Sequence, residues 1–322
     1  MVKKRILQIL TVLIVLSPLI VLAVLYKSNG KAYMSEGYYF DTYLTVTVYS
    51  LKDSEYLDEC MKMCERYDTL LGRNKHLSDI DCINEVGYEG VALQSEETYY
   101  LLERALEFCE ETDGAVDITV APLSDIWGFS HDSMGNPTAT VKPTDEMIKD
   151  TLKSVNYKNV KLTEDNGVFL LDENTKVDLG FIAKGYIADK IKEYLVENGV
   201  KSAIISLGGN VVVIGSKPDG SDFKIGIKDP DNSEGIIDSV SVKDKSVVTS
   251  GTYERYVEYD GVKYHHILDT KTGYPVDTDV KSVTVISDSS LEGDALSTVC
   301  LILGEEKSKP ILEKYNATAI FH

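Results

Sequence analysis

The sequence predicts an α+β fold: mixed sheets covered by helices, in one interwoven globular domain. Three observations point there. Segments such as Thr45-Val46-Thr47-Val48-Tyr49 alternate apolar and polar residues with the period of a half-buried strand. Longer segments repeat apolar residues at helical spacing and begin at capping residues. Asp165-Asn166-Gly167 and Asp260-Gly261 mark hairpins between strand-like runs. No internal repeat of roughly twenty to fifty residues interrupts the pattern.

The elements follow in order. Residues 54–71 read as a helix, because Leu57, Cys60, Met61, Cys64, Tyr67 and Leu71 share a face. Ser95 caps a second helix to about Thr112, and Thr144 caps a third to about Ser154. Between them, Asp113 to Pro143 is turn-rich and holds the only tryptophan, Trp127. A strand ending at Asp178 turns at Gly180 into a helix over Ile182–Asn198, closed by Gly199. Ala203 to Leu207 is an apolar strand entering Gly208-Gly209-Asn210. Val211 to Ile214, Phe223 to Ile227 and Val283 to Ile286 are further strands. Ser289 and Glu292 form a capping box for the helix carrying Asp294 and Thr298. A helix over 305–315 and a strand over 317–321 complete the chain.

A chain of 322 residues suits one large domain or two small ones. Its formal net charge of −19 argues against a nucleic-acid partner, because phosphate backbones select basic faces. A polyanionic ligand would need compensation from lysines, backbone N–H groups or a divalent cation. Residues 1–5, with Lys3, Lys4 and Arg5, form a basic flank ahead of an apolar stretch, 6–26, long enough to span a bilayer. That flank puts the N-terminus inside and the remainder outside. The expectation is an uncleaved anchor in the cell membrane with an extracytoplasmic domain; a cleaved signal peptide is the competing reading. Residues 27–36 read as a polar linker and 37–322 as the domain. The five cysteines are odd in number and lack tight spacing, which argues against a disulfide framework or zinc site. They read as small buried hydrophobes.

Two stretches carry most of the chemistry. Asp294 and Thr298, four residues apart on a helix, lie on one face. A carboxylate with a hydroxyl suits Mg²⁺, although an Asp near a helix start often only complements the dipole. The turn Asp178-Leu179-Gly180-Phe181 leads into a helix whose N-terminal N–H groups, with Lys184, offer an anion site. The plainer reading is an ordinary strand–turn–helix joint. Of the adjacent His265 and His266, only one can point into a given site. A histidine facing a phosphate site could serve as a general base.

These pieces resemble, in order, the ApbE family of flavin transferases, the FAD:protein FMN transferases. The matching residues are Gly114 to Leu123 with Trp127-Gly128-Phe129, Asp178-Leu179-Gly180 with Ile182 to Tyr186, and Leu207 to Asn210. Ser250-Gly251, Tyr264 to Asp269 with Thr272-Gly273-Tyr274-Pro275, and Asp294 to Thr298 complete the series. The resemblance covers about residues 37–321 and implies a T-fold-like domain. It implies that FMN passes from FAD to a Thr or Ser hydroxyl of an acceptor flavoprotein, with Mg²⁺ bound and AMP released. Asp294, Thr298 and the Phe181 carbonyl would hold Mg²⁺. Phe40, Asn74, Ala115, Val116, Asp117, Asp178, Lys184 and Ile267 would contact FAD, and His266 would be the base. Three positions depart from the family pattern: Phe40-Asp41-Thr42 replaces Met-Gly-Thr, Asn74 stands near the usual tyrosine, and Phe181 replaces Gly or Ala. Two other readings share the site: an FAD pyrophosphatase yielding FMN and AMP, and a non-catalytic flavin-binding protein.

Overall fold

A computed structural model describes residues 30–131 and 137–322. The apolar stretch 6–26 and its basic flank lie outside the described residues. Among the described residues, no helix is long and apolar enough to cross a membrane.

In chain order the strands and helices begin with β1 (Tyr33–Tyr39), β2 (Thr42–Val48), α1 (Leu57–Leu71), α2 (Asp79–Val86) and β3 (Ala92–Leu93). Then come α3 (Glu96–Glu111), α4 (Ala121–Trp127), α5 (Asp145–Thr151), β4 (Val160–Leu162), β5 (Gly167–Leu170) and α6 (Ala183–Glu197). The strands β6 (Ser202–Leu207), β7 (Asn210–Gly215), β8 (Phe223–Asp229), β9 (Asn232–Val242) and β10 (Ser246–Gly251) follow. The chain closes with β11 (Tyr256–Tyr259), β12 (Val262–His265), β13 (Ser282–Ser287), α7 (Ser290–Leu303), α8 (Glu305–Lys314) and β14 (Thr318–Phe321).

The spine is a seven-stranded sheet in the order β1-β2-β6-β7-β10-β13-β14. Leu44, Val46 and Val48 of β2 point inward and their neighbours outward, the alternation read from sequence. The inner face packs on α6 and α7 through Ile187, Ile191, Leu291, Leu296 and Val299. Burying each such side chain contributes roughly 1.5–3 kcal/mol. Part of the outer face is covered by the β8–β9 ribbon, where Phe223 and Val242 meet Val213 and Val247. Leu123, Trp127, Phe129, Ile148 and Leu268 form a separate cluster under the turn-rich stretch. Cys60, Cys64, Cys109 and Cys300 are buried free thiols, and Cys82 is half-buried.

The caps fall where expected: Ser95, Thr144 and Ser289 each accept a backbone N–H of the helix they open. The hairpin turns at Asn166 and at Asp260-Gly261 adopt positive φ. Four expectations are corrected. The sheets are not mixed: every strand pairing among the described residues is antiparallel. The segment ending at Asp178 is extended but is not a strand, because its backbone bonds go elsewhere. Val177 exchanges hydrogen bonds with the Asn84 side chain, and the Asp178 N–H donates to the Ile118 carbonyl. The edge strand β1 begins at Tyr33, inside the stretch read as linker. Finally, α4 is a short helix inside the stretch read as turns; it buries too few apolar residues to print a period.

Candidate active site

The site is built where α6 meets α7. No side chain at the cap position satisfies the first N–H groups of α6. Asp294 of α7 meets that need from across the interface. Its Oδ2 accepts the Gly185 N–H at 2.9 Å, and the Lys184 N–H also bonds this carboxylate. The Lys184 ammonium stands 3.6 Å from Asp294 Oδ1 and donates to the Gly180 carbonyl at 3.2 Å. The two helices can come this close because residue 185 has no side chain: a Cβ there would lie 2.2 Å from the Ser290 carbonyl oxygen.

Asp294 is an unusual occupant of α7, which is buried on most sides. Burial pushes its carboxyl above the ordinary range, resisted by the Lys184 charge and the two N–H groups. Thr298 lies one turn further along and is half-buried. In a regular helix the Gly185 N–H would return to the Phe181 carbonyl. Here it goes to Asp294, which leaves that carbonyl without the helix bond. The Phe181 ring packs against the main core, so the bulky residue does not obstruct its own carbonyl. Of the predicted metal ligands, Asp294 and Thr298 lie one turn apart on α7, and the Phe181 carbonyl lies just ahead of the helix end that Asp294 caps.

These donors are hard oxygens: one carboxylate, one hydroxyl and one carbonyl. Among the described residues, no group of three His, Cys, Asp or Glu could hold a metal. A cation here would complete its shell with water and substrate oxygens, as Mg²⁺ commonly does. The residues fit that ion.

The predicted flavin residues fall on several segments, some of which hydrogen bonds join. Asp178 lies beside Gly180, whose N–H donates to Asp178 Oδ1 at 2.7 Å. The Ile118 carbonyl that receives the Asp178 N–H brings Ala115, Val116 and Asp117 alongside. The Thr270 hydroxyl donates to the Gly114 carbonyl at 2.5 Å, joining that loop to the segment of His266 and Ile267. Phe40 and Asp41 form the β1–β2 turn, both with positive φ, and the Phe40 N–H donates to Asp68 Oδ1. Asn74 is exposed on the loop after α1. Asp117 has structural work as well: its carboxylate accepts from the Thr119 N–H, the Thr119 hydroxyl and the Tyr157 N–H.

His266 is half-buried and its Nδ1 lies 3.2 Å from the Arg255 carbonyl. A carbonyl only accepts, so Nδ1 carries the proton and Nε2 is left as a proton acceptor. Burial lowers the imidazole to about 4, with the Arg255 and Lys184 charges adding to the effect. His265 instead binds the Val276 carbonyl through Nε2 and serves the structure.

Sequence reasoning missed three participants. Glu254 lies within 3.4 Å of where a Cβ at Gly209 would sit. Desolvation in the cleft pushes its carboxyl up to about 7 against the pull of Lys184, with the Asp294 charge adding to the rise. Arg255 anchors His266, and Arg73 pairs with both Asp125 and Asp178. No local spacing signals any of them. Two surface concavities of about 530 and 460 Å³ lie elsewhere, lined by residues such as Glu111 and Lys314 or Arg66 and Leu77. Neither is lined by a predicted site residue.

The fold is an α+β domain in which a buried carboxylate and a lysine meet at a helix N-terminus. The family is more specific. The ApbE family model matches residues 40–321, and the chain belongs to that family. It is 34% identical over 297 residues to the FAD:protein FMN transferase of Klebsiella pneumoniae (strain 342), covering 91% of this chain and 90% of that protein. It is 33% identical over 276 residues to the FAD:protein FMN transferase of Treponema pallidum (strain Nichols), covering 80% and 74%. Among solved structures, the ApbE protein of Thermotoga maritima superimposes with a TM-score of 0.81 at 33% identity, over 90% of this chain and 94% of that one. The flavin transferase ApbE of Vibrio cholerae shares the fold, with a TM-score of 0.79 at 24% identity over 91% and 93%.

Proposed function

We propose that this chain is an Mg²⁺-dependent FAD:protein FMN transferase, passing FMN to a Thr or Ser hydroxyl of an acceptor flavoprotein and releasing AMP. One observation carries the reading beyond family membership. Lys184 stands 3.6 Å from Asp294 and its charge is felt at His266, which supports reading the proposed metal ligand and base as parts of one site.

The residues divide the work as follows. Asp294, Thr298 and the Phe181 carbonyl would hold Mg²⁺, which when bound would neutralise pyrophosphate charge that an acidic protein otherwise repels. Lys184 would draw the phosphate groups toward that corner. Asp178, the Ala115–Asp117 loop, Ile267 and the Phe40 turn enclose the flavin and its ribityl chain. His266 Nε2 takes the proton of the acceptor hydroxyl as its oxygen forms a bond to the FMN phosphorus. The pyrophosphate P–O bond breaks, and AMP leaves with the bridging oxygen. The Arg255 carbonyl keeps the imidazole in the required tautomer throughout.

The activity is tested with the full-length chain, FAD, Mg²⁺ and a threonine-bearing flavoprotein acceptor domain. Acceptor gaining the mass of FMN, with AMP in equal amount, supports the transferase. AMP and free FMN with unmodified acceptor would replace it with the pyrophosphatase, and bound FAD without either product with a flavin carrier. The proposal also places the enzyme at the cell membrane, anchored through residues 6–26 with the domain extracytoplasmic. Protease accessibility of the domain in intact cells tests that placement; protection would overturn it.

A further inference from the structure

We propose that Arg73 is a positioning residue which, braced by Asp125, aims the Asp178 carboxylate at FAD; the inference rests on reading Asp178 as an FAD contact. Arg73 follows Gly72, the residue that ends α1, and is not among the residues that carry the family resemblance. The loop is firmly set: the Lys75 N–H and the Ser78 hydroxyl both donate to the Gly72 carbonyl. From there the guanidinium reaches inward and is largely buried, with 12% of its side chain exposed.

Its two partners come from different parts of the chain. Nη2 binds Asp125 Oδ1 on α4, 52 positions away. Nε lies 3.6 Å from Asp178 Oδ2, within ion-pair range but beyond a hydrogen bond. The two oxygens of Asp178 thus stand differently. Oδ1 is fixed by the Gly180 N–H at 2.7 Å. Oδ2 is held by charge alone and keeps its lone pairs for an N–H or hydroxyl donor on the ligand. Two carboxylates sharing one guanidinium leave a net negative corner, which suits the donor groups of a flavin or sugar rather than phosphate. Only a forked cation serves both carboxylates at once; a lysine ammonium is a point charge on a flexible stem.

The test uses the full-length enzyme and compares Arg73→Met, Arg73→Lys, Asp178→Asn and the Arg73→Met/Asp178→Asn double variant. The readouts are KM for FAD, KM for acceptor and kcat, with unfolding followed in parallel. Arg73→Met and Asp178→Asn are each expected to raise KM for FAD about tenfold, in the range of one charged hydrogen bond, with a smaller change in kcat. KM for acceptor stays unchanged, and Arg73→Lys recovers part of the loss. The double variant is no worse than Asp178→Asn alone, because Arg73 acts through Asp178. Additive losses in the double variant would overturn the positioning role while leaving Asp178 a ligand contact. An Asp178→Asn variant with unchanged KM for FAD would overturn the Asp178 reading itself, and this proposal with it. If Arg73→Met fails to fold, Arg73→Lys and Asp125→Asn carry the same comparison.

Discussion

Asp294 and His266, the proposed metal ligand and the proposed base, are held by different kinds of structure. Asp294 sits on a buried helix, locked to the neighbouring helix by N–H groups and by a backbone contact that admits only glycine at position 185. His266 follows a two-stranded hairpin whose residues are half-buried or exposed, and its ring is held by one main-chain carbonyl and an edge-on contact with Phe129. The helix corner tolerates no displacement, because any shift breaks a cap and unpairs a buried charge. The hairpin corner has less apolar burial behind it and can adjust to an incoming protein. On the proposed function, rigidity falls where an ion would be held and latitude where the acceptor would dock.

The sharpest way to break this contrast is at Asp294. Asp294→Asn keeps the shape and an acceptor for Gly185 but removes the charge. Turnover with Mg²⁺ should fall at least about 10³-fold, the several kcal/mol expected of a metal ligand, with unfolding little changed. Retained activity in the presence of chelator would contradict the metal assignment. His266→Ala should slow transfer about 10²–10³-fold while FAD stays bound, the lower part of the usual range for a base, because a base near 4 is weak. A lowered value means that the proton-accepting form persists to low pH. The profile of kcat/KM should therefore stay level from about pH 8 to about pH 5 and fall below that. A fall centred near 7 would give the role to Glu254.

Gly185→Ala tests the rigidity of the helix corner. In an open helix this change would stabilise by up to about 1 kcal/mol. Here the new Cβ meets main-chain atoms that cannot rotate away, so a loss of about 1–3 kcal/mol in urea unfolding is expected. The smallest effect lies at the β1–β2 turn. Asp41 holds φ of 56°, where glycine carries no penalty, so Asp41→Gly should stabilise by up to about 1 kcal/mol. Destabilisation would show that the Asp41 side chain has a role of its own.

Much of the site was legible because its residues lie close to one another in sequence. Asp294 and Thr298 announce a shared face by spacing, and Gly180 with Lys184 announces a helix start. The link between the two stretches came from the family pattern, since no local signal pairs residues 109 positions apart. The sheet was readable as strands but not in its pairing, because alternation fixes which face is buried and not which neighbour lies alongside. Arg73 and Glu254 were silent for a related reason: their partners meet them only in three dimensions. Asp117 illustrates the converse. It was legible by motif, yet its three hydrogen bonds within the protein could be learned only from the structure.

The lysine and helix end that neutralise Asp294 have a consequence for the order of assembly. A buried carboxylate awaiting a cation would ordinarily oppose folding until that cation arrived, as in small domains that are unfolded without their metal. In this chain the counter-charge is built in, so the polypeptide can be made and delivered empty. If the proposed magnesium site is right, chelation should silence the protein without unravelling it.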